Sequence, residues 1–446
     1  MTSPPDKTRP PGRRLPRPRY VRGKLFASKE RGIALVMVMI AISIVLAITN
    51  QFATNATIDM IAAANYRDQM RAHFLARTAL DVSELVIKIQ RGVEGQMKGV
   101  DLTTYADQLM MAFCGNRSEI SEALGVPVDR VKGLGSEIGN CGLLPAISTD
   151  DAKINLNCAE NQSVKESLSK RLASLLYFSA YDPVFNEADA EDWRRDRETQ
   201  VSALMDYVDK DSTRGQSRGT GEDYGYESLR DSYKAKQTYL DTVGEIRLIR
   251  GVDDRFWTLF GDSFTTYGGC KLNLAAVDNV GLMASTLMLA ADNENDPLLR
   301  DQGRLWTLAS IIIKAREFGI THDKTDEFIS FVKDPLESFG KWASKRGGQS
   351  GAAANPFGLP PGEKIGMVLS KTKLESIASV DKKRTYRVTA WGEINRAQVD
   401  DKGNPIFPPV RRTITGVWDF KATPQNRRKS AGGSNDGGAW VFLKEQ

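Results

Sequence analysis

Lys29-Glu30-Arg31-Gly32 followed by Ile33–Ile48, KERG and then IALVMVMIAISIVLAI, decides how the rest of this 446-residue chain is read. The apolar part carries no charge and no proline, and it begins abruptly after a basic segment that ends in glycine. A helix rising 1.5 Å per residue needs about 20 apolar residues to span a bilayer. Phe52, Ala53 and Ala56 extend the run on one side, enough for a thin or locally thinned membrane. No proline occurs from Ile33 to about Arg91 and glycine first reappears at Gly92, so the helical pattern continues well past the apolar stretch. Leu75, Ala79, Val82, Val86 and Ile89 follow a 4-3-4-3 spacing, one stripe along a helix expected to reach roughly 90 Å.

A secretory signal peptide would close its apolar core with a small-residue cleavage site, and none follows closely here. A single-pass anchor is the plain reading. The third reading is more specific: a basic leader, Gly32 at the boundary and a helix that runs on beyond the membrane resemble the type IV pilin-like prepilins. That resemblance implies cleavage by prepilin peptidase between Gly32 and Ile33. The positive charge of the leader keeps it cytoplasmic, which implies a single-pass protein in the bacterial inner membrane with its bulk in the periplasm.

The length allows two or three domains with a sizeable core. A charged fraction of 26% and a hydrophobic fraction of 41% are those of a globular protein. Net charge is only +5 and all of that excess sits in the first 32 residues, so the remainder is close to neutral, which argues against a nucleic-acid partner. The four cysteines, Cys114, Cys141, Cys158 and Cys270, then fall in an oxidising compartment as disulfide candidates. They allow three pairings that spacing does not decide. Cys141 and Cys158 flank GLLPAISTDDAKINLN, which reads as two short strands around a Thr149-Asp150-Asp151 turn, a hairpin able to set these two opposite each other. Zinc is disfavoured, because there is no CxxC and the histidines are His73 and His322 alone.

Taken in order, residues 1–32 form a proline- and arginine-rich cytoplasmic leader and 33–91 the membrane and assembly helix. Residues 92–160 open an α+β domain, 161–345 read as an inserted helical domain, and 346–446 complete the sheet. Within the insertion, Leu168, Leu172, Leu175 and Leu176 share one helix face, with Trp193 beyond them. Tyr386–Gly392 and Arg412–Phe420 alternate like antiparallel strands, and Trp440–Leu443 supplies a last short strand. Residues 345–363 and 421–438 read as linkers. Helices between two groups of strands mean an α+β fold whose antiparallel sheet is interrupted by a large α-helical insertion.

Four local stretches give the resemblance a narrower form. They are Lys153-Ile154-Asn155-Leu156-Asn157, Met205–Asp211 followed by Gly221-Glu222-Asp223-Tyr224, Val243–Val252, and Lys271-Leu272-Asn273-Leu274-Ala275. In this order, behind a prepilin-like N terminus, they resemble the minor pseudopilin K family of bacterial type II secretion, the general secretion pathway protein K. The resemblance implies a pilin-like α/β domain with a SAM-like helical insertion. It also implies a place at the pseudopilus tip with minor pseudopilins I and J, contacts with the major pseudopilin and the inner-membrane secretion platform, and a role in starting assembly. A minor pilin of a type IV pilus and a membrane-anchored periplasmic protein of unknown binding function are the alternatives. Most pilin-like proteins carry glutamate at the fifth mature position, whereas Met37 stands there, as K pseudopilins also lack it. An unpaired carboxylate in lipid is costly, and a tip subunit has no neighbour above whose N-terminal amine would pair with it.

Asp206, Asp209, Asp211, Glu222 and Asp223 bracket a glycine-rich loop, and hard oxygen donors on a flexible loop suit calcium. Thr213 and Arg214 exclude an EF-hand, and the family resemblance implies calcium in the helical domain. The competing reading is a solvated acidic loop neutralised by Arg214 and Arg218. Gly215-Gln216-Ser217-Arg218-Gly219 matches G-x-S-x-G, but polar DKDSTR precedes it where a nucleophile elbow needs an apolar strand, so no enzyme is expected. Trp391, Trp418 and Trp440 read as packing residues, and Ile311-Ile312-Ile313 as buried helix ended by Lys314 and Arg316.

Overall fold

A computed structural model describes residues 31–93, 101–115, 139–144, 147–186, 196–210, 226, 231–345, 357–359, 364–394, 408–422 and 437–446. The chain divides into two compact units, Met1–Tyr66 and Arg67–Gln446. One helix, α1 (Arg31–Val93), supplies the described residues of the first unit and the opening turns of the second.

In the second unit, the side of α1 that is buried carries Ala72, Ala76, Ala79, Leu80, Ser83, Val86 and Ile87. This corrects the stripe expected from hydrophobicity: Leu75 and Val82 are only partly buried and Ile89 is 45% exposed. The reason is a close crossing over a strand. An ideal Cβ on Gly392 would stand 2.2 Å from the Ala72 carbonyl oxygen and 2.5 Å from the Ala76 nitrogen. Helix and strand backbones meet there, so the helix turns its small residues inward and larger ones flank the crossing. Ser83 satisfies its buried hydroxyl by donating to the Leu80 carbonyl at 2.6 Å.

Beneath α1 lies the expected antiparallel sheet. Among the described residues it holds β1 (Asn140–Leu143), β2 (Ser148–Thr149), β7 (Thr385–Ile394), β8 (Val410–Asp419) and β9 (Ala439–Glu445). The order is β1-β7-β8-β9, with β2 also on β7. From Tyr386 onward, buried and half-buried residues alternate along β7, which is what one buried face demands. Helix α2 (Ala106–Cys114) shares the core with α1, burying Ala106, Met110 and Cys114. The three tryptophans pack as expected: Trp418 is 3% exposed and lies 5.3 Å from the Trp440 ring, and the Trp391 indole donates to the Leu143 carbonyl at 3.2 Å.

The TDD hairpin is not formed. Asn140–Leu143 pairs with Glu393–Ala390, and Ser148–Thr149 with Arg387–Tyr386, so β1 and β2 follow one another along the same edge of β7. Beyond them Asp150–Ala152 is a short 3-10 turn, and β3 (Ile154–Asn155) pairs in parallel with β4 (Phe264–Thr265). Cys141 and Cys158 therefore belong to different cores. The disulfides are Cys114–Cys141, tying α2 to β1, and Cys158–Cys270 in the helical part.

That helical part has its own core. It contains α3 (Gln162–Leu176), α4 (Asp182–Asn186), α5 (Arg197–Asp206), α6 (Asp254–Phe260), α7 (Val280–Ala290), α8 (Pro297–Arg300), α9 (Gln302–Glu317), α10 (Thr325–Lys333), α11 (Pro335–Lys345) and α12 (Lys371–Ile377). Leu168, Leu172, Leu175 and Leu176 are all buried on α3, and Ile311 and Ile312 on α9. Trp193, residues 1–30 and most of the stretches read as linkers lie outside the described residues.

Two of the resemblance motifs, KINLNCAEN (153–161) and KLNLAAVDN (271–279), build the same device twice. Asn155 and Asn273 sit in two-residue parallel ladders, the second between β5 (Leu272–Asn273) and β6 (Ala378–Ser379). Each accepts, on its own Oδ1, the N–H two residues on: Asn157 at 3.0 Å and Ala275 at 3.1 Å. Each donates through Nδ2 to a distant carbonyl, Gly268 at 3.3 Å and Asp381 at 2.8 Å. Each stretch closes on an asparagine, Asn161 or Asn279, that caps the next helix, α3 or α7. Those two helices pack on each other, and the Ser174 hydroxyl donates to the Ser285 carbonyl at 2.8 Å.

Candidate assembly helix and acidic segment

From Gly32 to Ala63 every side chain of α1 is exposed, including Ile33 at 65%, Met37 at 68% and Leu46 at 62%. The helix is long and apolar enough to cross a membrane, by length and composition. Its hydroxyls are already satisfied. Ser43 donates to the Met39 carbonyl at 2.8 Å, Thr49 to Val45 at 2.9 Å, Thr54 to Asn50 at 2.8 Å and Thr57 to Ala53 at 2.8 Å. Over Ile33–Thr49, where Ser43 and Thr49 are the polar side chains, the helix can enter hydrocarbon or pack on another apolar helix without stranding a polar group. A bare apolar surface of this extent marks a membrane or protein contact. Gly32 and Ile33 lie in its first turn.

The acidic segment is described in part. Asp206 ends α5 at 6% exposure and Asp209 follows at 4%. The Lys165 ammonium, on α3, forms an ion pair with the Asp209 carboxylate. Asp211, Glu222 and Asp223, with Gly215–Gly219, lie outside the described residues. Among the described residues no group of three or more His, Cys, Asp or Glu side chains gathers as a cation site. His322, one of the two histidines weighed for zinc, sits between Phe328 and Phe331, its ring 5.7 and 5.1 Å from theirs. Burial lowers its pKa to about 4.

Sequence reasoning missed the polar residues where the sheet meets the helical part. Asp150 and Asp151, read as turn residues, are 1% and 8% exposed. Arg387 of β7 grips Asp150 with two bonds, Nε to Oδ1 at 3.0 Å and Nη2 to Oδ2 at 2.6 Å. Burial pushes the Asp151 carboxyl above its ordinary range, against the pull of the Thr385 and Arg384 backbone N–H groups that bind it. The available signal was the adjacency of two carboxylates to the KINLN strand, where a solvated turn would not be followed at once by buried residues.

Residues 152–259 match the family model described as "Type II secretion system (T2SS), protein K". No curated protein matches. A solved structure described as the GspK-GspI-GspJ complex from enterotoxigenic Escherichia coli Type 2 Secretion System is similar to this chain at 13% identity and a TM-score of 0.37, over 69% of this chain and 80% of that one.

Proposed function

We propose, from the type II secretion protein K domain that this chain carries at residues 152–259, that the protein works as a minor pseudopilin at the tip of a short pseudopilus. The observation that carries this reading is the presence in one chain of that domain and of a bare apolar α1 running unbroken from Arg31 onto a sheet core. Processing between Gly32 and Ile33 by prepilin peptidase frees the helix N terminus. The apolar turns then lie in the inner membrane and pack against minor pseudopilins I and J and the major pseudopilin. Met37 at the fifth mature position suits a subunit with none above it, because no N-terminal amine has to be matched. The sheet and helical part stand in the periplasm, where the secretion platform and its cargo are met, and the protein caps the tip and starts assembly. The acidic segment around Asp206 and Asp209 is proposed as a calcium site. Burial of these two carboxylates supports it, whereas the Lys165 ammonium competes with calcium for Asp209.

The test is N-terminal sequencing of the protein from its native membrane, joined to co-purification with the I and J pseudopilins. A mature start at Ile33 and a complex that depends on residues 33–66 are expected. An intact leader, or a mature start beyond about Ala56, would sink the pseudopilin reading.

A further inference from the structure

The described helical part is attached to the sheet by two chain crossings, Asp150–Lys153 outward and 380–384 on the return. An insertion joined by two short crossings is ordinarily free to hinge. Here the two crossings are bound to each other and to both cores.

The outward crossing sends two carboxylates in different directions. Asp150 takes the bidentate Arg387 pair from the sheet and, on the same Oδ2, the Thr265 hydroxyl of β4 at 3.0 Å, which belongs to the helical part. One buried carboxylate thus holds one group from each side. Asp151 accepts the N–H groups of Arg384 and, at 2.8 Å, of Thr385, so the outward crossing grips the returning one. Thr149 adds a hydroxyl bond to the Thr385 carbonyl at 2.8 Å. The return crossing is fixed further along its length. Asn273 donates to the Asp381 carbonyl at 2.8 Å, Lys383 pairs with Asp101, and Arg384 pairs bidentately with Asp419 of β8 at 2.7 and 2.6 Å. Thr265 and Thr385 are both fully buried, which keeps water from competing for these bonds.

We infer that Asp150 and Asp151 form a locked joint that sets the direction in which the helical part leaves the sheet, so that the two cores move as one body. Planar, bidentate Arg–carboxylate pairs carry geometric specificity as well as energy, and buried polar groups of this kind select one arrangement over others. The role is one of positioning: a partner recognising both the sheet side and the helical side meets them at a single fixed spacing. The inference does not depend on the secretion reading.

The experiment measures a spin-label distance in the full chain in detergent, with labelled non-canonical residues at exposed Gln108 on α2 and exposed Glu317 on α9. The unmodified joint should give a single narrow distribution. Asp150→Asn, and the charge-free pair Asp150→Asn with Arg387→Gln, should broaden it or add a second population while near-ultraviolet circular dichroism shows both cores intact. A distribution as narrow as the original, at the same mean, in the folded double variant would overturn the joint. If those variants do not fold, Thr265→Val, which deletes the bond to Asp150 and the local one accepted from the Tyr267 N–H, gives the same readout. Hydrogen exchange on the unaltered protein is independent of any variant. The Arg384 and Thr385 amides should be protected to the level of β7, and exchange at open-loop rates would equally overturn the inference.

Discussion

Replacing Gly392 with alanine probes the point where α1 crosses the sheet. The new Cβ would stand 2.2 Å from the Ala72 carbonyl oxygen, 2.5 Å from the Ala76 nitrogen and 2.7 Å from the Leu75 Cβ. Two of these atoms are helix backbone, so no rotamer change relieves the clash, and restoring ordinary contact lifts the helix by about 1 Å. A radial gap of that size forfeits roughly a quarter to a half of each dispersion contact beneath the helix. Ala72, Ala76, Ala79 and Leu80, all at 0% exposure, are the residues that lose them. Overpacking costs about 1–3 kcal/mol, and a clash against backbone belongs at the upper end, about 3 kcal/mol. The reduced freedom of the unfolded chain returns about 0.4–1 kcal/mol of this. Urea unfolding of the full chain in detergent, followed by tryptophan fluorescence, measures the difference. Gly244→Ala is the control, since its Cβ would meet only the Thr242 hydroxyl at 3.8 Å, and it should stay within about 0.5 kcal/mol of the parent. A Gly392→Ala protein as stable as that control would refute the close crossing and the account of why α1 turns alanines inward.

Three further outcomes follow from the same structure. The Cys114–Cys141 and Cys158–Cys270 bridges span 27 and 112 residues. Chain entropy gives them about 3.6 and about 4.8 kcal/mol, so replacing the second pair by serine should cost more in denaturant titrations, and equal or reversed losses would discard that account. His322 is held neutral in the folded chain, with its pKa lowered from 6.5 to about 4 by burial and the Arg316 charge, against the pull of Glu327 and Asp323. The unfolded ring takes up a proton first, so its contribution to stability is full above about pH 6.5 and is lost as the pH falls towards 4. His322→Phe should flatten the slope of stability against pH in that window, and an unchanged slope counts against the assignment. Calcium at a hundredfold excess over its Kd should stabilise the protein by about 2.7 kcal/mol if it binds the folded form alone. Thermal unfolding with chelator and with millimolar calcium reads this, the Asp209→Ala with Asp211→Ala variant should abolish it, and identical melting would remove the calcium site and leave Asp209 to its Lys165 ion pair.

Much of the architecture was legible because it is written in local patterns. Absence of proline and glycine, with an uncharged apolar run, determined one helix over Ile33 to about Arg91, which the structure extends through Gly32 and Gly92 to Arg31–Val93, and alternation determined β7 and most of β8. The Leu168–Leu176 face was readable because its helix buries large side chains at a 3.6-residue period. What only the tertiary structure decided are the relations between segments distant in sequence. The buried face of α1 moved away from Ile89 because Gly392, some 300 residues later, brings a strand backbone against Ala72 and Ala76. Cys141 parted from Cys158 because β1 and β2 share one edge of β7 and form no hairpin with each other. Asp150 became a buried joint because its partners, Arg387 and Thr265, come from two different cores. Periodicity records which way a side chain turns relative to its own element. It carries no information about which backbone or countercharge will be waiting there, because those come from contacts that close only when the chain folds.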